Sequence, residues 1–172
     1  CLGTVKLGIP DYGFSSSDNN NFNAIEFLKQ VGELGITWFD TSPRYGSSET
    51  ILGKYFKHQK TKCNVSSKID GLNYNDSNSK NMMIESVKNS LNNLHVDYLD
   101  VCYLHQNNIK IISDPYIQEG LNELKTLGLI QYAGTSIYNL EEYQYTINSN
   151  IFDFIQLPTN VIDLSFCKRI MN

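Results

Sequence analysis

The sequence predicts an α/β fold of the (β/α)8 TIM-barrel type, with only the first six β/α units present in this chain. Three observations carry that expectation. Short β-rich runs alternate with amphipathic helical segments along the whole chain, the pattern of a parallel sheet covered by helices. The early glycines Gly3, Gly8 and Gly13 do not fit the G-x-G-x-x-G spacing that usually follows the first strand of a nucleotide-binding doubly wound sheet. Polar residues Asp40, Lys68, His105, Ser136 and Gln156 fall at or just beyond the C-terminal ends of five successive strands, ends that surround one mouth in a barrel.

The elements follow in order. The opening LGTVKLG reads as the first strand, and the polar stretch 15–21 leads into a helix whose face is Ile25, Leu28 and Val31 and which Gly35 ends. Ile36 to Phe39 is a β-rich run that stops at Asp40; polar 41–48 forms a loop before a helix at Glu49 to Phe56. Cys63 to Lys68 is the third strand, and Asn81 to Leu94 is a helix with Met83, Val87, Leu91 and Leu94 on one side and Ser79 as its N-cap. Tyr98 to Leu104 runs as a strand into His105. Pro115 opens a helix with the face Ile117, Leu121 and Leu124, closed by Gly128. Ile130 to Thr135 is the fifth strand, Asn139 caps a helix from Leu140 to Ile147, and Phe152 to Leu157 is the sixth strand, broken by Pro158. Cys167 to Asn172 begins a further helix.

No linker or shift in composition divides the chain, so 1–172 reads as one domain. A closed barrel of this kind runs to about 250 residues, and the expectation is a barrel truncated at its C-terminus. Its first and sixth strands, near Thr4 and Ile155, would then be open edges through which the chain could self-associate. Composition is that of a globular protein, 41% hydrophobic and 19% charged. Net charge is −4, and the basic residues are scattered singly, which argues against nucleic acid as a partner. No apolar run approaches the ~20 residues of a membrane-spanning helix, and the first residues lack the layout of a signal peptide, so the expected location is cytoplasmic. Cys1, Cys63, Cys102 and Cys167 have no metal-ligand spacing and read as buried or incidental thiols; no metal site is expected.

Each polar residue at a strand end has a plain explanation when taken singly: Asp40 as a cap, Lys68 as a solvated side chain, His105 as a hydrogen-bonded rim histidine, Tyr45 as packing. Together they make chemical sense for moving a proton to a carbonyl oxygen. A tyrosine has an ordinary pKa near 10 and needs a neighbour to act near neutrality. An ammonium beside the phenol favours phenolate, an Asp keeps that ammonium charged and in place, and a His across the site donates a hydrogen bond to the carbonyl.

The chain resembles the aldo-keto reductases, NADPH-dependent (β/α)8-barrel oxidoreductases. The resemblance is carried by LGTVKLG (2–8), GITWFDTSPRYGSSETILG (35–53), SSKI (66–69), DYLDVCYLH (97–105), GLIQYAGTS (128–136) and FIQLPTNVID (154–163). It implies a catalytic tetrad of Asp40, Tyr45, Lys68 and His105, with Tyr45 as general acid, and hydride delivered from a reduced nicotinamide, NADPH with NADH as the alternative. It further implies cofactor contacts at Gly3, Thr4, Asp40, Ser136 and Gln156, and a substrate pocket including Tyr12, Trp38 and Asn107. The chain departs from the family pattern at Ile137, where Asn is usual, and at Thr159, where an aromatic is usual; the family's seventh-strand aromatic and later basic loop have no counterpart here. The expected activity is reduction of an aldehyde or ketone to an alcohol. The alternatives are a reductase-like barrel serving as a non-catalytic binding or regulatory subunit, or an inactive truncated fragment.

Overall fold

Six parallel strands pair strictly in sequence order, β1 (Leu2–Gly3), β2 (Trp38–Asp40), β3 (Asn64–Ile69), β4 (Leu99–Leu104), β5 (Ile130–Ser136) and β6 (Phe154–Gln156). The computed structural model describes residues 1–12, 22–59, 62–105, 108–160 and 162–171. A doubly wound sheet would reverse its strand order at a switch point. This one never reverses, and the sheet curls as part of a (β/α)8 barrel. Among the described residues, β1 and β6 are each paired along one side only.

The connecting segments are α1 (Val5–Gly8), α2 (Ala24–Glu33), α3 (Ser48–Phe56), α4 (Ser79–Leu94), α5 (Ile109–Ile112), α6 (Pro115–Thr126), α7 (Leu140–Asn148) and α8 (Ser165–Met171). Their ends follow from local chemistry. The Asn23 side chain accepts from the amides of Ile25 and Glu26 at the start of α2, and Asn139 accepts from Glu142 N at the start of α7. Gly35 and Gly128 take φ of 79° and 68° just past α2 and α6.

Strand alternation sorts side chains between two faces. Phe39 is fully buried against Tyr55 and Phe56 of α3, with ring centroids 5.7 and 5.4 Å away. Cys102 and Leu104 join Met83, Leu94, Ile117 and Leu121 in the core under the helices. Residues one step along each strand, Asp40, Ser66, Lys68 and Ser136, point to the opposite, concave face, where Asp40 bonds to Ser66 and Lys68, and Ser136 to Gln156.

Several details differ from the sequence reading. The first strand is two residues long: the Thr4 amide makes its last ladder bond, to Asp40 O (3.0 Å), and the chain then coils, with Ile9 N donating to Val5 O (2.9 Å). Ser79 is the first residue of α4 and not its cap; Asn78 holds the cap position, and the buried Ser79 hydroxyl has no hydrogen-bond partner. Asp114, fully buried, caps α6 ahead of Pro115 by accepting from Tyr116 N (2.9 Å) and Ile117 N (3.3 Å). None of the four cysteines is in a disulfide. Cys102 is buried and its thiol is pushed up to about 12 by burial, so it is a packing group; Cys1 is exposed. The polar stretch before α2 lies outside the described residues through Asn21, and no described helix is long and apolar enough to cross a membrane.

Candidate active site

The loop from β2 to α3 is held at several points. Thr4 donates from both its amide (3.0 Å) and its hydroxyl (2.9 Å) to Asp40 O, and Thr41 N donates to Ser66 O (2.9 Å). The buried Ser48 hydroxyl sits 2.8 Å from Thr4 Oγ1 and 3.0 Å from Thr41 Oγ1. Tyr45 N donates to Ser42 O (2.9 Å), and Ser48 N donates to Tyr45 O (3.0 Å). The turn closes against the end of α1 where Gly8 meets Gly46, which takes φ of 54°; a Cβ on Gly46 would lie 3.1 Å from the carbonyl carbon of Gly8. Glycine at 46 meets both demands, a left-handed backbone and a close approach.

On this frame four of the predicted residues come together. The Lys68 ammonium, on a side chain only 5% exposed, donates to Asp40 Oδ2 (2.7 Å) and to Thr41 O (2.8 Å). It also lies over the Tyr45 ring, 5.0 Å from the centroid, a cation–π contact. Asp40 Oδ1 accepts from the Ser66 hydroxyl (3.0 Å), so both carboxylate oxygens are engaged. Tyr45 and His105 stand edge to face, with centroids 6.3 Å apart and planes at 84°. Among the described residues the Tyr45 hydroxyl makes no hydrogen bond. Burial pushes the His105 imidazole below its usual range; Asp70 opposes this, Lys68 and Arg44 add to it, and Asp40 opposes it. His105 is therefore neutral at pH 7.

Tyr45, Lys68 and His105 line a cavity of about 250 Å³ together with Ser136, Tyr138, Gln156, Leu157 and Pro158. Register places Ser136 directly opposite Gln156, and the Ser136 hydroxyl donates to Gln156 Oε1 (3.2 Å). This pair presents a hydroxyl and a primary amide at neighbouring strand ends, donors and acceptors that complement a carboxamide, so the residues present fit a nicotinamide. The other cofactor expectations divide. Gly3 is exposed on the free side of β1, with open space where a side chain would be. Thr4 is buried with its hydroxyl engaged at Asp40 O and Ser48, bracing the loop.

The residues expected in the substrate pocket are not brought into this cavity where they are described. Tyr12 is 56% exposed and does not line the cavity. Trp38 lies two residues below Asp40 on β2, a strand rise of about 6–7 Å, and does not line it either. Asn107 lies outside the described residues. The sequence reading missed Ser42, whose hydroxyl lies 3.2 Å from His105 Nδ1, and Ser66 on Asp40. It also missed Tyr138 on the cavity wall. Period-two alternation pairs Ser66 with Lys68 and was a usable signal; nothing local marks Ser42. A second cavity of about 530 Å³ lies at the opposite ends of β3 and β4, lined by Phe56, Lys62, Cys63, His95, Tyr98 and Asp100 among others. No group of three His, Cys, Asp or Glu among the described residues is arranged to hold a metal.

Comparison with known proteins gives a consistent result. The sequence matches the model of the family described as "Aldo/keto reductase family" over residues 1–168. It is 33% identical over 146 residues to an uncharacterized oxidoreductase, YqkF, of Bacillus subtilis, covering 78% of this chain and 47% of that protein. It is 32% identical over 143 residues to D-arabinose 1-dehydrogenase of Saccharomyces cerevisiae, covering 73% of this chain and 42% of that one. A solved structure described as an aldo-keto reductase of Pseudomonas aeruginosa superposes with a TM-score of 0.78 at 28% identity, covering 99% of this chain and 66% of that one. The chain thus spans about half the length of the curated relatives it matches.

Proposed function

This chain belongs to the aldo/keto reductase family, and from that premise we propose that it carries the proton-transfer half of a nicotinamide-dependent carbonyl reductase, converting an aldehyde or ketone to an alcohol. The observation that carries the proposal is the convergence of Lys68, Asp40 and Tyr45, with the ammonium bonded to the carboxylate and lying over the phenol ring. When bound, reduced nicotinamide, as NADPH or NADH, supplies the hydride that reaches the carbonyl carbon.

The chain's own residues deal with the oxygen. Tyr45 gives its hydroxyl proton to the carbonyl oxygen, and the phenolate left behind is stabilised by the Lys68 charge against its ring. Asp40 and the carbonyl of Thr41 hold that ammonium in one position, so the stabilisation needs no rearrangement as charge develops. His105, neutral in its half-buried site, orients the substrate by donating a hydrogen bond to the same oxygen. Ser136 and Gln156 receive the carboxamide.

Tyr45→Phe tests the reading. It keeps the ring and its contacts and removes the one proton the reaction needs. Aldehyde-dependent oxidation of NADPH should fall at least about 100-fold, the usual contribution of a positioned acid. Unchanged turnover across a panel of aldehydes would remove Tyr45 from the mechanism and leave a non-catalytic binding role as the better account.

A further inference from the structure

We infer that Ser42 is a positioning residue that fixes His105 in the tautomer carrying its proton on Nε2, leaving that N–H as the ring's hydrogen-bond donor to the cavity. The inference follows from counting protons around one buried hydroxyl. Ser42 is fully buried. Its oxygen accepts from Arg44 N–H (3.2 Å) and lies 3.2 Å from His105 Nδ1. A hydroxyl has one proton to donate and two lone pairs to accept with. The Arg44 amide can only donate, so it takes a lone pair. Among the described residues, the one acceptor within reach of the Ser42 proton is then His105 Nδ1. Were Nδ1 to carry hydrogen, two protons would face each other, or the hydroxyl would turn its proton into a site with no acceptor, which buried polar groups avoid. Ser42 therefore donates, Nδ1 accepts, and the imidazole proton resides on Nε2.

Both partners are held rigidly enough for this to matter. His105 N donates to Ile69 O (2.8 Å), which fixes the ring's backbone at the end of β4. The next residue, Asp70, forms an ion pair with Arg44, so the loop segment that supplies the amide is tied to the strand end beside the histidine. The charged and titratable groups facing the imidazole are Asp70, Lys68, Arg44, Asp40 and Tyr45. Their opposing signs leave burial as the main influence, and burial favours the neutral ring that a tautomer requires.

The functional consequence rests on the reductase reading, since an Nε2–H donor orients a carbonyl oxygen; the tautomer itself does not. The test is long-range 1H–15N spectroscopy at pH 7 on the chain labelled at its three histidines, with the His105 signals assigned by loss in His105→Gln. An unprotonated Nδ1 and a protonated Nε2 are expected. In Ser42→Ala the two tautomers should mix, and if carbonyl reduction is present its kcat should fall about 3- to 10-fold with KM little changed, the worth of one neutral hydrogen bond. A protonated Nδ1 in the unsubstituted chain overturns the inference and needs no variant to fold. A Ser42→Ala chain keeping the same single tautomer also overturns it. The expected tautomer in a chain without reductase activity would sink the reductase reading and leave the assignment of Ser42 standing.

Discussion

Replacing Gly8 by alanine sets a methyl group against the start of α3, at the base of the loop that presents Tyr45. The added Cβ would stand 2.6 Å from Ser48 N and 2.8 Å from Ser47 N, and closer still to Tyr45 O. These are backbone atoms, so no side chain can rotate away. Clearing Ser48 N alone takes a retreat of about 0.8 Å, to ordinary contact at 3.4 Å, and the Tyr45 carbonyl must move further. Overpacking of this kind costs about 1–3 kcal/mol. The retreat also stretches the Ser48 hydroxyl's bonds to Thr4 and Thr41, worth about 1 kcal/mol together. A loss of about 2–4 kcal/mol, with a drop of about 5–15 °C in Tm, is expected for a chain of this length. Urea denaturation of Gly8→Ala beside Gly3→Ala provides the measurement, because a Cβ at Gly3 meets nothing within 4 Å and should change stability by less than about 0.5 kcal/mol. Equal midpoints for the two variants, with unchanged m-values, would refute the account of how this loop is seated.

Two further outcomes follow from the site and its supports. His105 is held below its usual pKa in the folded chain, so the unfolded chain takes up the proton more readily; the stability this contributes is present above pH 6.5 and is lost as pH falls through the folded value. Urea midpoints measured from pH 7 down to pH 5 should therefore fall more steeply for the unsubstituted chain than for His105→Gln, and parallel profiles would contradict the assignment. Asp114→Ala removes the cap of α6 together with the oxygen that accepts from Asn75 N in the β3–α4 connection. It should cost about 2 kcal/mol by thermal or chemical denaturation, and a change under 0.5 kcal/mol would mean that water replaces the carboxylate without loss.

The alternation of strands and helices was legible because each amphipathic face repeats over several turns: Met83, Val87, Leu91 and Leu94 all point into the core as their spacing requires. Asp40, Lys68, His105, Ser136 and Gln156 were legible as one group because all stand at the same end of parallel strands. What escaped depends on partners distant in sequence. The seating of Thr4 after β1 depends on Asp40 O, 36 residues away. Ser42 acquires its significance from a histidine 63 residues on. Trp38 is set apart from the cavity by its place along β2, two residues before Asp40. Asp114 shows a different failure, since Pro115 marked the helix start while the capping side chain stood immediately before it.

The strictly sequential pairing of the strands bears on how the molecule is made. Each strand docks onto the one synthesised just before it, so assembly can proceed in chain order as the chain emerges. Asp40, Tyr45, Lys68 and His105 all lie between β2 and the end of β4, and the residues that brace them, Thr4, Ser48 and Ser66, come from just after β1, the start of α3 and β3. The proposed proton-transfer cluster is thus complete once the chain through His105 has been made, while the Ser136–Gln156 pair waits for two more strands. Translation would produce the proposed acid–base cluster first and the Ser136–Gln156 pair afterwards, an order that pulse-labelled hydrogen exchange on stalled chains can read directly.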